Sequence, residues 1–275
     1  MSSFNPDIID AHWIRGEEMS FPEKVEIYTS RINKLRNNGN KKVLNLVNEP
    51  RAFRQKNKEI IENHKKFDLI LSFDPQILNR CPNARNMLCG MTWINDEGRD
   101  KCSNKEYGVS FLCGAKRITE GHNLRHKIWN NQQFINMPRD FWISSAQPVK
   151  PHNDTNKKLP GLETEKYLLF KREFHICVEN SVEESYFTEK IMDCFTTKTV
   201  PIYYGCPNLG EYFDMKGVLQ FKTLGGLIEI CKNLKEGDYK KLKVSIEKNY
   251  DISIEYTRDF TKRLEDKINQ NLFSK

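Results

Sequence analysis

Short apolar runs alternate with longer amphipathic segments along most of the chain. The apolar runs predict strands, and apolar residues at helical spacing predict helices. The predicted strands are Val43–Val47, Phe67–Phe73, Val109–Cys113, Phe174–Val178, Val200–Tyr204 and Val218–Phe221. The predicted helices are Arg54–Lys65, Asn123–Gln133, Thr188–Thr197, Thr223–Lys235, Asp238–Tyr250 and Ile254–Asn271. Continuous apolar strands that alternate with helices indicate an α/β fold with parallel sheets.

The pattern divides the chain into two predicted domains. Residues 1–105 form the first, and residues 106–253 form the second, which has the denser strand signals. A polar, proline-containing stretch, Gln147–Gly161, interrupts the second domain and predicts a long surface loop. The amphipathic C-terminal segment, residues 254–275, could pack back onto the first domain.

Composition and charge narrow the possible partners. Hydrophobic residues make up 38% of the 275 residues, which is enough to build cores, and the formal charge is 44 − 37 = +7. The lysines of the C-terminal region alternate with acidic residues, which is typical of solvated helix faces and not of a nucleic-acid-binding arm. We therefore expect no nucleic-acid partner. A modest basic excess suits a polyanionic small molecule such as a nucleoside diphosphate.

Membrane segments, export signals and cysteines indicate the cellular compartment of a protein. No stretch approaches the roughly 20 apolar residues of a membrane span, and the N-terminus lacks the basic and apolar regions of a secretory signal. These features predict a soluble, cytoplasmic protein without a membrane anchor. The eight cysteines form no C-x-x-C pair, and free thiols are expected.

An alternative is a zinc site built from two of these cysteines and two histidines. His122 and His126 have the spacing of neighbours on a helix, and Cys102 and Cys113 precede them. The cysteines lack the close spacing of structural zinc sites. Burial of the cysteines as small apolar residues is the simpler interpretation.

The segment Phe174–Phe221 carries the most informative pattern. Its first strand ends in Glu179-Asn180-Ser181, a polar loop follows, and Thr188-Glu189-Lys190 opens a helix. At 100° per residue, Phe187, Ile191, Cys194 and Phe195 fall on one face and predict the buried stripe of this helix. Glu189 and Asp193 are predicted to point the other way.

This arrangement places polar side chains where α/β proteins bind ligands. Asn180, Tyr186, Glu189 and Lys190 are predicted at the carboxyl end of a strand and the start of a helix. A helix N-terminus with a nearby lysine favours a phosphate, and a carboxylate can accept hydrogen bonds from sugar hydroxyls. The alternative is structural, with Glu189 stabilising the first turn and Lys190 forming a surface ion pair.

The string VENSVEESYFTEKIMDCFTTKTVPIYYGCPN resembles the C-terminal signature of the family 10 glycosyltransferases, the α-1,3/4-fucosyltransferases. Glu179-Asn180-Ser181, Tyr186, Thr188-Glu189-Lys190 and Pro201–Gly205 match that signature in order and spacing. The resemblance implies a GT-B architecture, in which two Rossmann-like domains face each other across a cleft. It also implies that the second domain binds the sugar-nucleotide donor through Asn180, Tyr186, Glu189 and Lys190, and that the first binds the acceptor.

A second resemblance concerns the string GVSFLCGAKRITEGHNLRHKIWN. It is similar to the strand, loop and helix that carry a diphosphate-binding arginine in the same family. Arg125 is the best candidate for that residue, since a guanidinium binds phosphate oxygens with two parallel hydrogen bonds. Lys116 or Arg117 could take the role instead, and Arg125 would then be an ordinary residue of an exposed helix face.

The resemblance also implies a general base after a strand of the first domain. Glu49 follows the predicted strand Val43–Val47 and is the natural candidate, with Asp74 as the runner-up. The Gly-Glu-Asn neighbourhood usual in the family is not reproduced around Glu49. The alternative is that Glu49 is a strand-end carboxylate without a catalytic role.

Taken together, these features predict an inverting glycosyltransferase that moves L-fucose from GDP-fucose to a hydroxyl of a glycan acceptor. Asp-x-Asp, the usual metal-binding motif of other glycosyltransferases, does not occur, so we expect no metal and no cofactor. Two alternatives stay open. One is the same chemistry with another sugar nucleotide, and the other is a non-catalytic basic module for glycan or nucleic acid, although no recognised nucleic-acid-binding motif is present.

Overall fold

The computed structural model of the chain describes residues 3–9, 16–29, 32, 35–162, 164–256 and 260–274. These residues form two compact units. The first comprises the described residues up to Cys89, the short segment Glu184–Tyr186 and residues 260–274. The second comprises Gly90–Glu183 and residues 187–256. The domain limits expected from the sequence, at residues 105 and 253, remain predictions.

The first unit contains a parallel sheet with strand order β1-β2-β3-β4-β5. Its strands are β1 (Asp7–Ile9), β2 (Val25–Thr29), β3 (Lys41–Asn45), β4 (Leu69–Ser72) and β5 (Ala84–Asn86). Leu44 of β3 and Ile70 of β4 are fully buried, as expected for a sheet covered on both faces.

Helices α1 (Asn57–Asn63) and α2 (Pro75–Arg80) connect β3, β4 and β5. The buried Ile60 and Ile77 of these helices join one core with the strand residues. The C-terminal helix α9 (Phe260–Leu272) also belongs to this unit. Its Glu265 accepts a hydrogen bond from the backbone N–H of Ser20 at 2.8 Å.

The second unit contains a larger parallel sheet with strand order β11-β10-β9-β6-β7-β8. Its strands are β6 (Glu106–Cys113), β7 (Arg139–Ile143), β8 (Lys157–Lys158), β9 (Arg172–Val178), β10 (Val200–Tyr204) and β11 (Leu219–Gln220). Its central strands β9 and β6 are almost continuously buried.

Helices cover the strands of this sheet. They are α3 (Asp96–Lys101), α4 (Glu120–Asn130), α5 (Glu189–Thr196), α6 (Leu224–Asn233), α7 (Asp238–Lys241) and α8 (Lys243–Tyr256). Because α4 follows β6 and α5 follows β9, both helices begin at the carboxyl edge of the sheet, where the neighbouring strands end. No helix in the described ranges is both long and apolar enough to cross a membrane.

The structure confirms the α/β class with parallel sheets. All six predicted strands exist, and Val200–Tyr204 has the predicted bounds. The predicted buried stripe of α5 is also present, since Phe187, Ile191, Cys194 and Phe195 are at most 3% exposed.

Strand β2 was not predicted from the sequence because Glu26 interrupts its apolar pattern. Glu26 is nevertheless fully buried. Its carboxylate accepts hydrogen bonds from the Tyr28 hydroxyl at 2.6 Å and from Asn38 Nδ2 at 2.5 Å. A satisfied carboxylate can occupy a core strand, and residue type alone does not reveal these partners.

The long C-terminal helices also differ from the prediction. The single helix expected over Asp238–Tyr250 is divided into α7 and α8 at Leu242. The helix expected over Ile254–Asn271 corresponds to the end of α8 and most of α9, and residues 257–259 lie outside the described part of the chain. The stretch Gln147–Gly161 is mostly irregular, as predicted, apart from the short edge strand β8.

Candidate functional site

The site is built around three consecutive residues at the end of the central strand β9. Val178 is the last residue of the strand and pairs with Tyr204 of β10. The backbone N–H of Glu179 then donates to the Tyr204 carbonyl at 2.8 Å, which extends the ladder by one bond. Asn180 follows and is partly exposed. The backbone is therefore held by the sheet up to the point where the polar side chains begin.

Two glycines allow neighbouring segments to approach Glu179 closely. A Cβ at Gly121, in the first turn of α4, would lie 1.8 Å from the Glu179 carbonyl oxygen. A Cβ at Gly205, just after β10, would lie 2.6 Å from Cγ of Glu179. Any larger residue would therefore clash at either position. The N-terminus of α4 is in direct contact with the end of β9 for this reason.

Arg125 of α4 extends to the same strand end. Its Nη2 donates to the Val178 carbonyl at 2.6 Å and to Asn180 Oδ1 at 2.7 Å, and its Nε donates to the Val178 carbonyl at 3.2 Å. Burial lowers the pKa of Arg125, although an arginine remains charged at neutral pH. Among the described residues, Nη1 of Arg125 has no hydrogen-bond acceptor, so this end of the guanidinium can bind an anion.

Helix α5 begins beside this arginine. Thr188 is its N-cap, and the fully buried carboxylate of Glu179 fixes this cap. Glu179 accepts hydrogen bonds from the Thr188 backbone N–H at 2.9 Å and from the Thr188 hydroxyl at 2.7 Å. The start of α5 is thus tied to the end of β9 through one carboxylate.

Lys190 lies in the first turn of α5 and is about one-quarter exposed. Its Nζ is 3.0 Å from Glu189 Oε1 and 3.7 Å from Glu179 Oε2. Burial alone would lower the pKa of Lys190, but Glu189 and Glu179 raise it above its usual value. The ammonium is therefore fully charged at neutral pH and held toward the end of β9.

Glu189 is the second carboxylate of this turn. Burial alone would raise its pKa, but Lys190 and Lys166 outweigh that effect and lower the pKa to about 2. Glu189 is consequently ionised at neutral pH and can accept hydrogen bonds from hydroxyl groups. Its side chain retains 18% exposure.

The sequence did not reveal the role of Asp193. It was predicted to point away from the core, but it is fully buried. One oxygen accepts hydrogen bonds from the Thr92 hydroxyl at 2.6 Å and the Trp93 backbone N–H at 2.8 Å, and the other pairs with Lys166 at 2.6 Å. The prediction was wrong because these partners lie far from Asp193 in the sequence and no helical pattern shows them.

Tyr186 differs from the other predicted donor-binding residues in its location. It belongs to the first unit and its side chain is 1% exposed. Its ring lies 5.4 Å from the ring of Phe73, centroid to centroid. Donor contact by Tyr186 stays a prediction, whereas Arg125, Asn180, Glu189 and Lys190 converge on the end of β9.

The two candidate bases in the first unit, Glu49 and Asp74, differ in burial. Glu49 is partly exposed in the loop after β3. Asp74 is fully buried as the N-cap of α2, and its Oδ2 binds Arg51 Nε at 2.7 Å and Arg54 Nη2 at 2.5 Å. Although burial alone would raise it, hydrogen bonds from Arg51 and Asn57 lower the pKa of Asp74. Asp74 is thus a weak base, and a catalytic role for Glu49 stays a prediction.

The residues of the alternative zinc site have other partners. His122 and Thr119 form a capping box at the start of α4, and burial lowers the pKa of His122 to about 4. His126 contacts the Lys116 carbonyl through Nε2 at 3.1 Å. Cys102 donates to the Gly98 carbonyl at 3.1 Å. All eight cysteines are buried free thiols.

Sequence comparison places a fucosyltransferase among the relatives of the chain. No family model matches. A segment of 96 residues is 30% identical to the α-(1,3)-fucosyltransferase FucT of Helicobacter pylori. The match covers 34% of this chain and 20% of that protein, so it spans about a fifth of the relative's length.

Structural comparison identifies the fold. An α1,3-fucosyltransferase solved with GDP-fucose superposes with a TM-score of 0.52 at 16% identity over 86% of this chain and 78% of its own. A glycosyltransferase from Rickettsia africae superposes with a TM-score of 0.59 at 12% identity, covering 91% and 77%. An α-glucosyltransferase solved with UDP-glucose and DNA gives 0.56 at 12% identity, covering 90% and 80%. The chain therefore has the GT-B glycosyltransferase fold.

Proposed function

We propose that this protein is an inverting glycosyltransferase of the family 10 type, with GDP-fucose as its donor and a glycan hydroxyl as its acceptor. The observation that carries the proposal is the convergence of Arg125 and Lys190 on Val178–Asn180. Arg125 binds Val178 and Asn180, and Lys190 faces Glu179. Arg125, in the second turn of α4, and Lys190, in the first turn of α5, suit a diphosphate. Two cations attract its charge, and the N-terminus of a helix adds backbone N–H groups that favour anions.

The proposed site would act mainly on the leaving group. As the bond between the sugar and the diphosphate breaks, negative charge grows on the diphosphate. Arg125 and Lys190 are already in place to stabilise that charge, which is the type of preorganisation that lowers a barrier. With two fixed cations supplying this charge, we propose that transfer needs no divalent metal.

Glu189 would bind the donor through its hydroxyl groups. Its pKa of about 2 keeps it ionised at neutral pH, so it accepts hydrogen bonds and does not act as an acid. Lys190 holds it at 3.0 Å. We propose that this carboxylate orients a sugar or ribose of the bound donor.

Glu49 is the proposed general base. A sugar hydroxyl is a poor nucleophile at neutral pH, and proton removal by a carboxylate as the oxygen attacks contributes about 10²–10⁴-fold. The partial exposure of Glu49 in the loop after β3 suits that task. The buried, doubly paired Asp74 does not.

A nucleotide panel tests the proposed function directly. Purified protein is titrated calorimetrically with GDP, GDP-fucose, UDP, UDP-glucose and a single-stranded oligonucleotide, and donor hydrolysis and transfer are followed by mass spectrometry. We expect GDP-fucose and GDP to bind selectively and fucose to be released or transferred. Selective binding of UDP-glucose would keep the chemistry and change the donor. Binding of only the oligonucleotide would contradict the proposal.

A further inference from the structure

Trp93 is an exposed aromatic residue whose backbone and ring are both in contact with buried charged groups. Its side chain is 41% exposed, whereas Trp129 and Trp142 are buried at 3% and 8% exposure. It lies in the second unit, between β5 and α3. Single exposed apolar residues are common on protein surfaces, so the informative feature of Trp93 is the set of contacts that holds it in place.

Hydrogen bonds to one buried carboxylate fix the backbone of this residue. The Trp93 N–H donates to Oδ1 of Asp193 at 2.8 Å, and the neighbouring Thr92 hydroxyl donates to the same oxygen at 2.6 Å. Asp193 is in α5 and is fully buried. The segment that carries the ring is therefore attached to the helix that begins with Glu189 and Lys190.

Lys166 lies on one face of the ring. Its Nζ is 4.8 Å from the ring centroid and 2.6 Å from Asp193 Oδ2, and its side chain is only 8% exposed. An ammonium at this distance is a cation–π contact. Lys166 is itself largely buried, so the ring surface that it covers is closed to solvent and the exposure of Trp93 comes from the rest of the side chain.

The ring is attached to the helix that carries the proposed donor-binding residues. Asp193 binds both the Trp93 backbone N–H and the Lys166 ammonium, and it lies one helical turn after Glu189 in α5. The charge of Lys166 also contributes to the lowered pKa of Glu189. Trp93 and Lys166 are thus held by the helix whose first turn contains Glu189 and Lys190.

We propose that the open face of Trp93 binds the pyranose ring of a sugar substrate by stacking, in the first instance a ring of the acceptor glycan. This inference rests on the proposed function. One face of a pyranose presents C–H groups, which pack on the face of an aromatic ring, while its hydroxyls remain in water or bind polar side chains. Asp193 and Lys166 hold this ring, the stacking platform, in place. The Trp93 side chain therefore loses little conformational freedom when a sugar binds.

The test compares Trp93→Ala and Trp93→Phe with wild-type protein. Each is titrated with N-acetyllactosamine, methyl β-galactoside, GDP-fucose and GDP, by calorimetry and by tryptophan fluorescence. We expect Trp93→Ala to weaken binding of at least one sugar at least about tenfold, Trp93→Phe to retain most of the affinity, and GDP to bind all three proteins equally. Phe134→Ala, which removes another aromatic ring exposed at 54%, is the matched control and should change nothing.

The ligands separate the possible results. Loss confined to the glycans assigns the platform to the acceptor, and loss for GDP-fucose but not GDP assigns it to the donor sugar. Equal loss for GDP would show stacking on the nucleotide and overturn the proposal, as would unchanged sugar binding in Trp93→Ala or no saturable sugar binding by wild type. Sugar binding through Trp93 without any nucleotide binding would uphold the platform and refute the transferase function.

Discussion

The carboxylate of Glu179 lies 3.7 Å from the ammonium of Lys190, with the carboxylate fully buried and the ammonium about one-quarter exposed. Arg125 and Glu189 are further charged groups that act on the Lys190 ammonium. Glu179 contacts Lys190 and the cap of α5 at once. It therefore holds the lysine in place and offsets part of the repulsion between the two cations.

Replacing Glu179 by Gln should change the pH dependence of nucleotide binding. The carboxylates keep the pKa of Lys190 above its usual value. Without Glu179, burial and Arg125 should lower that pKa relative to wild type, so GDP affinity of the variant should fall at a lower alkaline pH than wild-type affinity. Calorimetry at a series of alkaline pH values measures the effect. Glu120→Gln, which removes an exposed carboxylate at the same sheet edge, is the control, and parallel pH profiles would contradict a role for Glu179 in holding Lys190.

Arg125→Ala and Lys190→Ala should each weaken GDP binding. Loss of a charge-assisted contact to phosphate costs about 1.5–3 kcal/mol, or roughly 10- to 150-fold in affinity. Titration calorimetry with GDP provides the measurement. Arg117→Ala is the matched comparison, because Arg117 is the alternative candidate in the preceding loop. An effect of Arg117→Ala larger than that of Arg125→Ala would move the phosphate site to the loop.

Glu49→Gln should lower the transfer rate at least about 10²-fold and leave the affinity for GDP unchanged. The transfer rate is measured by steady-state kinetics with GDP-fucose and a glycan acceptor identified by screening.

Asp74→Asn tests the alternative assignment of the general base. It leaves Arg51 and the buried Arg54 without their carboxylate, and breaking a buried pair costs about 3–5 kcal/mol of folding free energy. We therefore expect a lower urea midpoint and a nearly normal rate for the folded fraction. A folded Asp74→Asn protein that has lost turnover, beside an active Glu49→Gln, would assign the base to Asp74.

Acid should destabilise the protein in part through Glu189. Its folded-state pKa of about 2 is below the unfolded value near 4.3. A lowered pKa contributes stability above the unfolded value, and that stability is lost as the pH falls toward 2. Urea unfolding at several pH values between 6 and 3 should therefore show a smaller acid-induced loss for Glu189→Gln than for wild type. Identical slopes would show that Glu189 is equally easy to protonate in both states.

Chelation should leave transfer intact. The fixed positive charges of Arg125 and Lys190 are proposed to do what a divalent ion does in other glycosyltransferases. Activity after EDTA treatment and gel filtration is compared with activity in added Mg²⁺ or Mn²⁺. Loss of transfer in EDTA with recovery in Mn²⁺ would show that these two side chains are not sufficient.

Local pattern was enough to predict the architecture and one edge of the site. The central strands of the second unit are continuous apolar runs because both faces of the sheet are covered, so their positions can be read directly from the chain. The start of α5 was equally visible, because Thr188 has the chemistry of an N-cap and the apolar stripe after it has helical spacing. The resemblance around Glu179–Lys190 then predicted that this edge binds a sugar nucleotide.

Tertiary structure decided which polar residues are buried together. Glu26 interrupts an apolar run and Asp193 lies on the predicted polar side of its helix, but both are fully buried. Glu26 accepts a hydrogen bond from the nearby Tyr28, and Asp193 accepts one from the Trp93 N–H, which is distant in sequence. Lys166 is also largely buried, and its ammonium lies over the ring of Trp93. Periodicity reports only which side of an element faces a core. Whether a charged side chain on the other side meets solvent, a partner or a ring depends on which distant segment packs there, and only the folded chain determines that.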